Sequence, residues 1–388
     1  MELLNSAGDV FFTTLVLIAG LFVGIVLRRT FAVSLNRLLL LYVWHGFFCV
    51  IYALYAVSNG ADALVYFEKS LGYDDGFSVG TQAVTALTSL FSDLLGLPLL
   101  AVFLVFNIFG FVGLLAFDGA VRFVLSDASG RVRFLGSLIV FLPSISFWSS
   151  AIGKDAIAFM SAGLALWAAL HLKRRIMLMI FAVLVMLLVR PHIAAAMLVS
   201  FVIGYLLSER HSVLLWLSST ALAVAGAFLI LPFAISYAGL TALDPEALSA
   251  YVDQRQSYNQ RGGGGIDISS MSFPVQMFTY LFRPLPFEAR SLFQFAAALD
   301  NMVLLGLCVF SIRAFFKSRQ AVIKGNVIFM MSFSIICWVM LAITTANLGI
   351  AVRQKWMFLP MLIVALLAFS QSRMRTPPVS QANGLRRA

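Results

Sequence analysis

Apolar runs close to bilayer thickness, separated by short polar stretches, repeat along almost the whole chain. A run of about 20 apolar residues crosses the hydrocarbon core, and a shorter one does so between polar anchors. The pattern predicts eleven membrane helices, over residues 10–27, 38–58, 95–117, 134–150, 155–172, 176–189, 193–208, 213–239, 300–316, 326–345 and 354–370. Residues 79–93 make a shorter amphipathic run suited to the membrane interface. The longest polar stretch, residues 240–300, forms one loop insertion between the eighth and ninth helices. After Ser372 the chain turns to Pro, Gln, Asn and Arg, which predicts a disordered tail over 373–388. The expectation is an all-α polytopic membrane protein with a single transmembrane domain, residues 1–372.

Composition narrows the class further. Hydrophobic residues make up 61% of the chain and charged residues 11%, against about 25% charged in soluble domains. A globular enzyme on a membrane anchor is excluded. The first residues carry no basic cluster and no small-residue cleavage site follows the first run, which argues against a cleaved signal peptide. Cys49, Cys308 and Cys337 lie within apolar runs, with neither metal spacing nor a disulfide framework. The net charge of +10 is unevenly placed. With the N-terminus outside, 18 of the 27 Lys and Arg fall in inner loops beside only three acids, Asp118, Asp127 and Glu209. The positive-inside rule then puts the C-terminus inside and residues 240–300 on the outer face. The excess charge marks topology, and no nucleic-acid partner is expected. Walker and dinucleotide fingerprints are absent from the sequence, so neither an ATP-driven pump nor a nucleotide cofactor is expected.

Candidate chemistry gathers at the outer boundary. The stretch from Phe141 to Asp155 holds Pro143, the aromatic pair Phe147 and Trp148, and the adjacent charges Lys154 and Asp155. Ser150 or Gly153 suits a helix N-cap there, with Asp155 favourable in the first turn. Charges at a membrane edge are functional candidates; the plain alternative is a polar hairpin turn meeting water. Asp62 and Tyr66, four apart, share a helix face, with Glu68 and Lys69 turned elsewhere. Asp62 suits a general base toward an acceptor hydroxyl; the alternative is a solvated loop acid. Arg190-Pro191-His192 makes the tightest outer turn, and its guanidinium fork suits a phosphate or diphosphate. The alternative is an arginine snorkelling to headgroups.

Residues 240–300 divide into a polar segment of helical potential (Asp244 to Arg261), a hinge (Gly262 to Gly265) and a stretch from Phe273 through Glu288 to Arg290, stiff and aromatic-flanked from Arg283 to Phe287. The last either aims Arg283 at a lipid phosphate or serves as an interfacial anchor. With its hinge, the segment is also built like a gating loop. Asp74-Asp75 could hold a divalent ion, although no metal is required. His45, His171 and His211 are assigned no role.

The order Asp62 and Tyr66, Pro143 through Trp148 to Lys154-Asp155, Arg190-Pro191-His192, Phe282 to Glu288, then Asn347, Arg353, Lys355 and Pro360 resembles bacterial membrane proteins of surface-polysaccharide gene clusters. Those are similar to O-antigen and exopolysaccharide polymerases and, more distantly, to the GT-C class of glycosyltransferases. The resemblance runs from residue 55 or so to 365. It implies a polyprenyl-phosphate-linked sugar as substrate, handled at the outer face of the bacterial inner membrane. Partners would be the lipid-linked glycan, membrane lipids and other polysaccharide-assembly proteins. It maps the acid of the first outer loop, the usual catalytic base, to Asp62. It maps the diphosphate-holding arginines to Arg190, Arg283, Arg290 or Arg353 without deciding among them.

The resulting expectation is an inverting displacement with Asp62 or His192 as base and the arginines and Lys154 on the phosphate, supported by Tyr66, Asp155 and Glu288. Polymerase and single-sugar transferase both remain open. The rival is a non-enzymatic flippase or exporter of lipid-linked oligosaccharide. A carrier should carry charges deep within several helices, whereas nearly all charges here fall at helix ends. An acyltransferase lacks a His-based centre apart from His192.

Overall fold

The structure, a computed structural model, describes residues 2–74, 76–208, 245–260, 264–317 and 327–371. The expected helix over 213–239, Asp75, the hinge glycines Gly262 and Gly263, and the tail 373–388 lie outside those residues. The described residues are helical with no strand; a single antiparallel bridge joins Gly265 to Asn347.

Among the described residues six helices are long and apolar enough to cross a membrane, or seven if one bent pair is a single crossing. They include α1 (Ala7–Leu27), α2 (Leu35–Asn59) and, after the short helices α3 (Asp62–Ser70) and α4 (Thr81–Ser89), α5 (Leu99–Val124). The run expected over 134–150 is present but broken. It divides into α6 (Gly130–Ile139) and α7 (Pro143–Ser149), because Pro143 cannot continue the first helix and instead opens the second.

Three runs expected to cross the membrane follow as the helices α8 (Lys154–Leu170), α9 (Leu172–Val189) and α10 (Pro191–Ser208), none of which is among those six. These are shorter than typical spans. The 17 residues of α8 reach roughly 26 Å at 1.5 Å per residue, short of the ~30 Å hydrocarbon core. After α11 (Pro245–Gln260) and α12 (Phe273–Phe282) come α13 (Leu292–Lys317) and α14 (Val327–Thr344). The chain closes with α15 (Leu348–Gln354) and α16 (Leu359–Gln371), bent by 66° at the break between them.

The centre of the molecule is the crossing of α5 and α8. Nearly every side chain of both is buried. Lipid tails are as apolar as leucine, so membrane helices gain by close contact between small residues. Here Gly113 faces Gly163: a Cβ on Gly163 would stand 2.6 Å from the Gly113 carbonyl oxygen. One turn away, a Cβ on Gly110 would stand 1.9 Å from the Ser149 carbonyl oxygen. That contact seats the C-terminal end of α7 against α5 and so places the following turn, residues 150–153.

Ion pairs stand at two ends of this core. At one, Arg37 Nη2 donates to the fully buried Asp118 at 2.6 Å, and Arg122 reaches the same carboxylate at 3.7 Å. At the other stand the residues singled out as candidate chemistry.

Candidate functional site

Four helix ends meet at that second site. Gly153 caps α8 with φ 149°, a left-handed conformation that favours glycine, and so turns the chain to set Lys154 and Asp155 in the first turn. Arg190 caps α9, and Pro191 starts α10 immediately after it. The loop before α4 is tied to that end by the Gly80 amide, which donates to the Leu188 carbonyl at 2.8 Å. Asn347 caps α15, its Oδ1 accepting from the Gly349 and Ile350 amides, while its Nδ2 donates to the Asn259 carbonyl. This brings Arg353, at the C-terminal end of α15, over the α3 and α8 starts.

The result is one line of charges drawn from four distant parts of the sequence. Arg190 Nη2 donates to Asp155 Oδ1 at 2.6 Å. Arg353 Nε lies 3.1 Å from Asp155 Oδ2, and Arg353 Nη1 donates to Asp62 Oδ2 at 2.9 Å. Exposure rises along the line: the Arg190 side chain is 9% exposed, Asp155 18%, Arg353 24% and Asp62 68%. Tyr52, Tyr66, Trp148 and Lys154 complete a cleft around it. The cleft encloses about 30 Å³, roughly one water's share of liquid volume. While the ion pairs stand, a phosphate group has no room there.

Two neighbours acquire unusual proton affinities. Burial, then the Arg190 charge, pushes Lys154 down to about 8. Burial, then Arg190, Arg255 and Lys154, pushes His192 down to about 3. His192 is half-buried in the first turn of α10 and is not among the residues lining the cleft. Burial also pushes the Tyr66 phenol up to about 12, so Tyr66 can donate a hydrogen bond but does not lose its proton near neutrality.

Arg283, Glu288 and Arg290 stand elsewhere, on a separate cavity of about 780 Å³. Arg283 is committed within its own segment. Its Nε and Nη2 donate to Glu288 Oε1 at 2.9 and 2.5 Å, and Glu288 Oε2 also accepts from the Leu285 amide at 2.7 Å. Arg290 is exposed on the cavity rim. Trp148 lines both the cleft and the cavity. The expected residues thus form two groups joined by one indole: Asp62, Tyr66, Lys154, Asp155, Arg190 and Arg353 around the cleft, and Arg283, Glu288 and Arg290 around the cavity.

Sequence reasoning missed a third group. Asp300 and Asn301 open the ninth helix in the expected pattern and were given no role, but α13 begins eight residues earlier, at Leu292, and carries both into the protein, where they are 2% and 0% exposed. Asp300 Oδ2 accepts from the Ser144 amide at 2.8 Å, at the start of α7. Asn301 Nδ2 donates to the Pro284 carbonyl at 3.0 Å, and its Oδ1 accepts from the fully buried Lys355. This brace fixes two walls of the cavity. The adjacent polar pair Asp300-Asn301 at the mouth of an apolar run was its signal in the sequence. His45, left without a role, bridges Asn107 Oδ1 at 2.5 Å and Ser149 Oγ at 3.0 Å, all fully buried, and so clamps α2, α5 and α7 together. Among the described residues no group of three His, Cys, Asp or Glu is placed to hold a metal ion. No family model, curated protein or solved structure matches the chain.

Proposed function

We propose that this chain transfers or polymerises polyprenyl-phosphate-linked sugars at the outer face of a bacterial inner membrane. The reading includes eleven crossings with the N-terminus outside and the C-terminus inside. The observation that carries it is the charge line Asp62–Arg353–Asp155–Arg190, set beside a cavity large enough for a ligand. Two guanidiniums held by two carboxylates form a store of fork donors that an incoming diphosphate can compete for. As Arg353 turns to the diphosphate, Asp62 loses its partner and becomes available to the acceptor hydroxyl.

The acceptor proton then passes to Asp62 while the acceptor oxygen bonds to the anomeric carbon. The bond from that carbon to the phosphate oxygen breaks, and the diphosphate leaves with the electron pair, stabilised by Arg190 and Arg353. Asp62 is the better base candidate: it is exposed at the cleft rim, whereas His192 does not line the cleft, and burial and neighbouring cations disfavour its taking up a proton.

The test is deletion of the gene in its bacterium, followed by sizing of lipid-linked and surface glycans. Single repeat units left on lipid indicate a polymerase, and a truncated repeat indicates a transferase. Unchanged glycans refute the reading. One observation favours the carrier alternative: Lys355 and Asp300 are charged groups buried inside the protein, at 0% and 2% exposure. Intact repeats trapped on the inner leaflet would decide for that alternative.

A further inference from the structure

The lining of the 780 Å³ cavity combines two chemistries that a single ligand class matches. Aromatic rings are one. Phe293 lies 5.2 Å from Tyr55, edge-on, and 5.4 Å from Phe147, while Trp148 lies 4.9 Å from Phe147 and 5.8 Å from Tyr52. These contacts fix the ring orientations, yet Phe293 remains 46% exposed. The same lining holds polar groups without internal partners. Ser144 is 5% exposed, and its hydroxyl, buried at the cavity wall, finds no hydrogen-bond partner among the described residues. The Arg290 guanidinium, on the same lining, also makes no hydrogen bond or ion pair with the described residues, in contrast to Arg283.

A lipid tail would satisfy the rings and leave the Ser144 hydroxyl orphaned, against the rule that buried polar groups are paired. A free phosphate would pair with Arg290 and leave the rings without purpose. A carbohydrate presents both an apolar face of C–H bonds and a rim of hydroxyls. We propose that this cavity is a carbohydrate-binding site in which Phe293 and Trp148 carry the apolar face of a sugar and Ser144 and Arg290 bond its hydroxyls. The assignment rests on the glycosyl-transfer reading for the origin of that sugar. Trp148, shared with the ionic cleft, sets the sugar beside the charge line, as a sugar joined to a diphosphate requires.

The test uses the full chain in nanodiscs with three probes: an array of short oligosaccharides, farnesyl diphosphate and a fluorescent fatty acid. Phe293→Leu is the deciding variant, because leucine keeps apolar contact but removes the flat ring. Oligosaccharide binding to the wild type is expected, weakened about tenfold in Phe293→Leu, with farnesyl diphosphate affinity unchanged. Ser144→Ala, which removes one hydroxyl, should also weaken oligosaccharide binding. Absence of oligosaccharide binding, or equal binding by Phe293→Leu, overturns the proposal. So does a fatty acid that fills the cavity equally well in both proteins. The two readings fail separately. Unchanged cellular glycans after gene deletion, with Phe293-dependent oligosaccharide binding, leave the cavity assignment standing and remove glycosyl transfer. Loss of polymer on deletion, with Phe293→Leu binding oligosaccharides as the wild type does, does the reverse.

Discussion

Asp155 is the structural keystone of the charge line, and its removal should cost far more stability than removal of Asp62. Asp155→Asn preserves shape while withdrawing the negative charge from two guanidiniums at once. Arg190 is only 9% exposed, and its Nε has no hydrogen-bond partner among the described residues, so Asp155 supplies its charge partner there. Breaking a buried pair costs ~3–5 kcal/mol because the surviving charge is left uncompensated. Asp155 and Arg353 retain 18% and 24% exposure, so water recovers part of this, and the expected loss is ~2–4 kcal/mol. Asp62, 68% exposed, behaves as a surface partner, and Asp62→Asn should cost under ~1 kcal/mol. The assay is unfolding of both variants in one detergent, with a double-mutant cycle between Asp155→Asn and Arg190→Gln. Residues in direct ionic contact should show a coupling of ~0.5–3 kcal/mol. Equal stability of the two Asn variants, or a coupling indistinguishable from zero, would refute the claim that Asp155 neutralises Arg190.

Three further outcomes are expected. Asp62→Asn should lower turnover ~10²–10⁴-fold if Asp62 is the base; near-normal product from a normally expressed variant removes it from the mechanism. Arg190→Lys should be nearly as damaging to product yield as Arg190→Ala, because an ammonium lacks the planar fork; full activity of the lysine variant would leave Arg190 as an anchor. Lys154 titrates at about 8 when folded, against an ordinary value of 10.5. Between those values the unfolded chain binds more protons, so stability should rise with pH through that window and be flat for this group below it. Lys154→Met should remove the rise, and an identical pH profile in both proteins would contradict the assignment.

The helices were legible because apolar run length is a one-dimensional signal, and Asp62, Lys154, Asp155, Arg190 and Arg353 were legible because charge at a membrane edge is costly. Their meeting was not. Nothing local in the sequence links Arg353 to residues 62 and 155; that contact depends on the 66° break after α15 and on Asn347 fixing the start of that helix. The start of α13 was misjudged for a related reason. Read for apolar length alone, the run starts at Asp300 and Asn301 and nothing in it names their partners, whereas the fold supplies the Ser144 amide, the Pro284 carbonyl and Lys355. Lys355 shows the same effect from the other side: a lysine beside an apolar run reads as a headgroup anchor, yet it is fully buried against Asn301.

Burial of that lysine makes its environment testable by sign as well as by size. Asn301→Leu would leave Lys355 buried with the Leu281 carbonyl, at 3.5 Å, as its one hydrogen-bond acceptor among the described residues, and should destabilise by about 3 kcal/mol or more. Lys355→Met instead removes the charge and leaves one amide oxygen unpaired, at ~1–3 kcal/mol. The double variant replaces both partners by apolar groups, which can be nearly neutral for a buried hydrogen bond. It still forfeits the bond from Asn301 to Pro284, so it should lie between the wild type and Asn301→Leu. Thermal unfolding of the three variants in detergent decides the matter. A double variant less stable than Asn301→Leu would show that Lys355 is held by something other than Asn301.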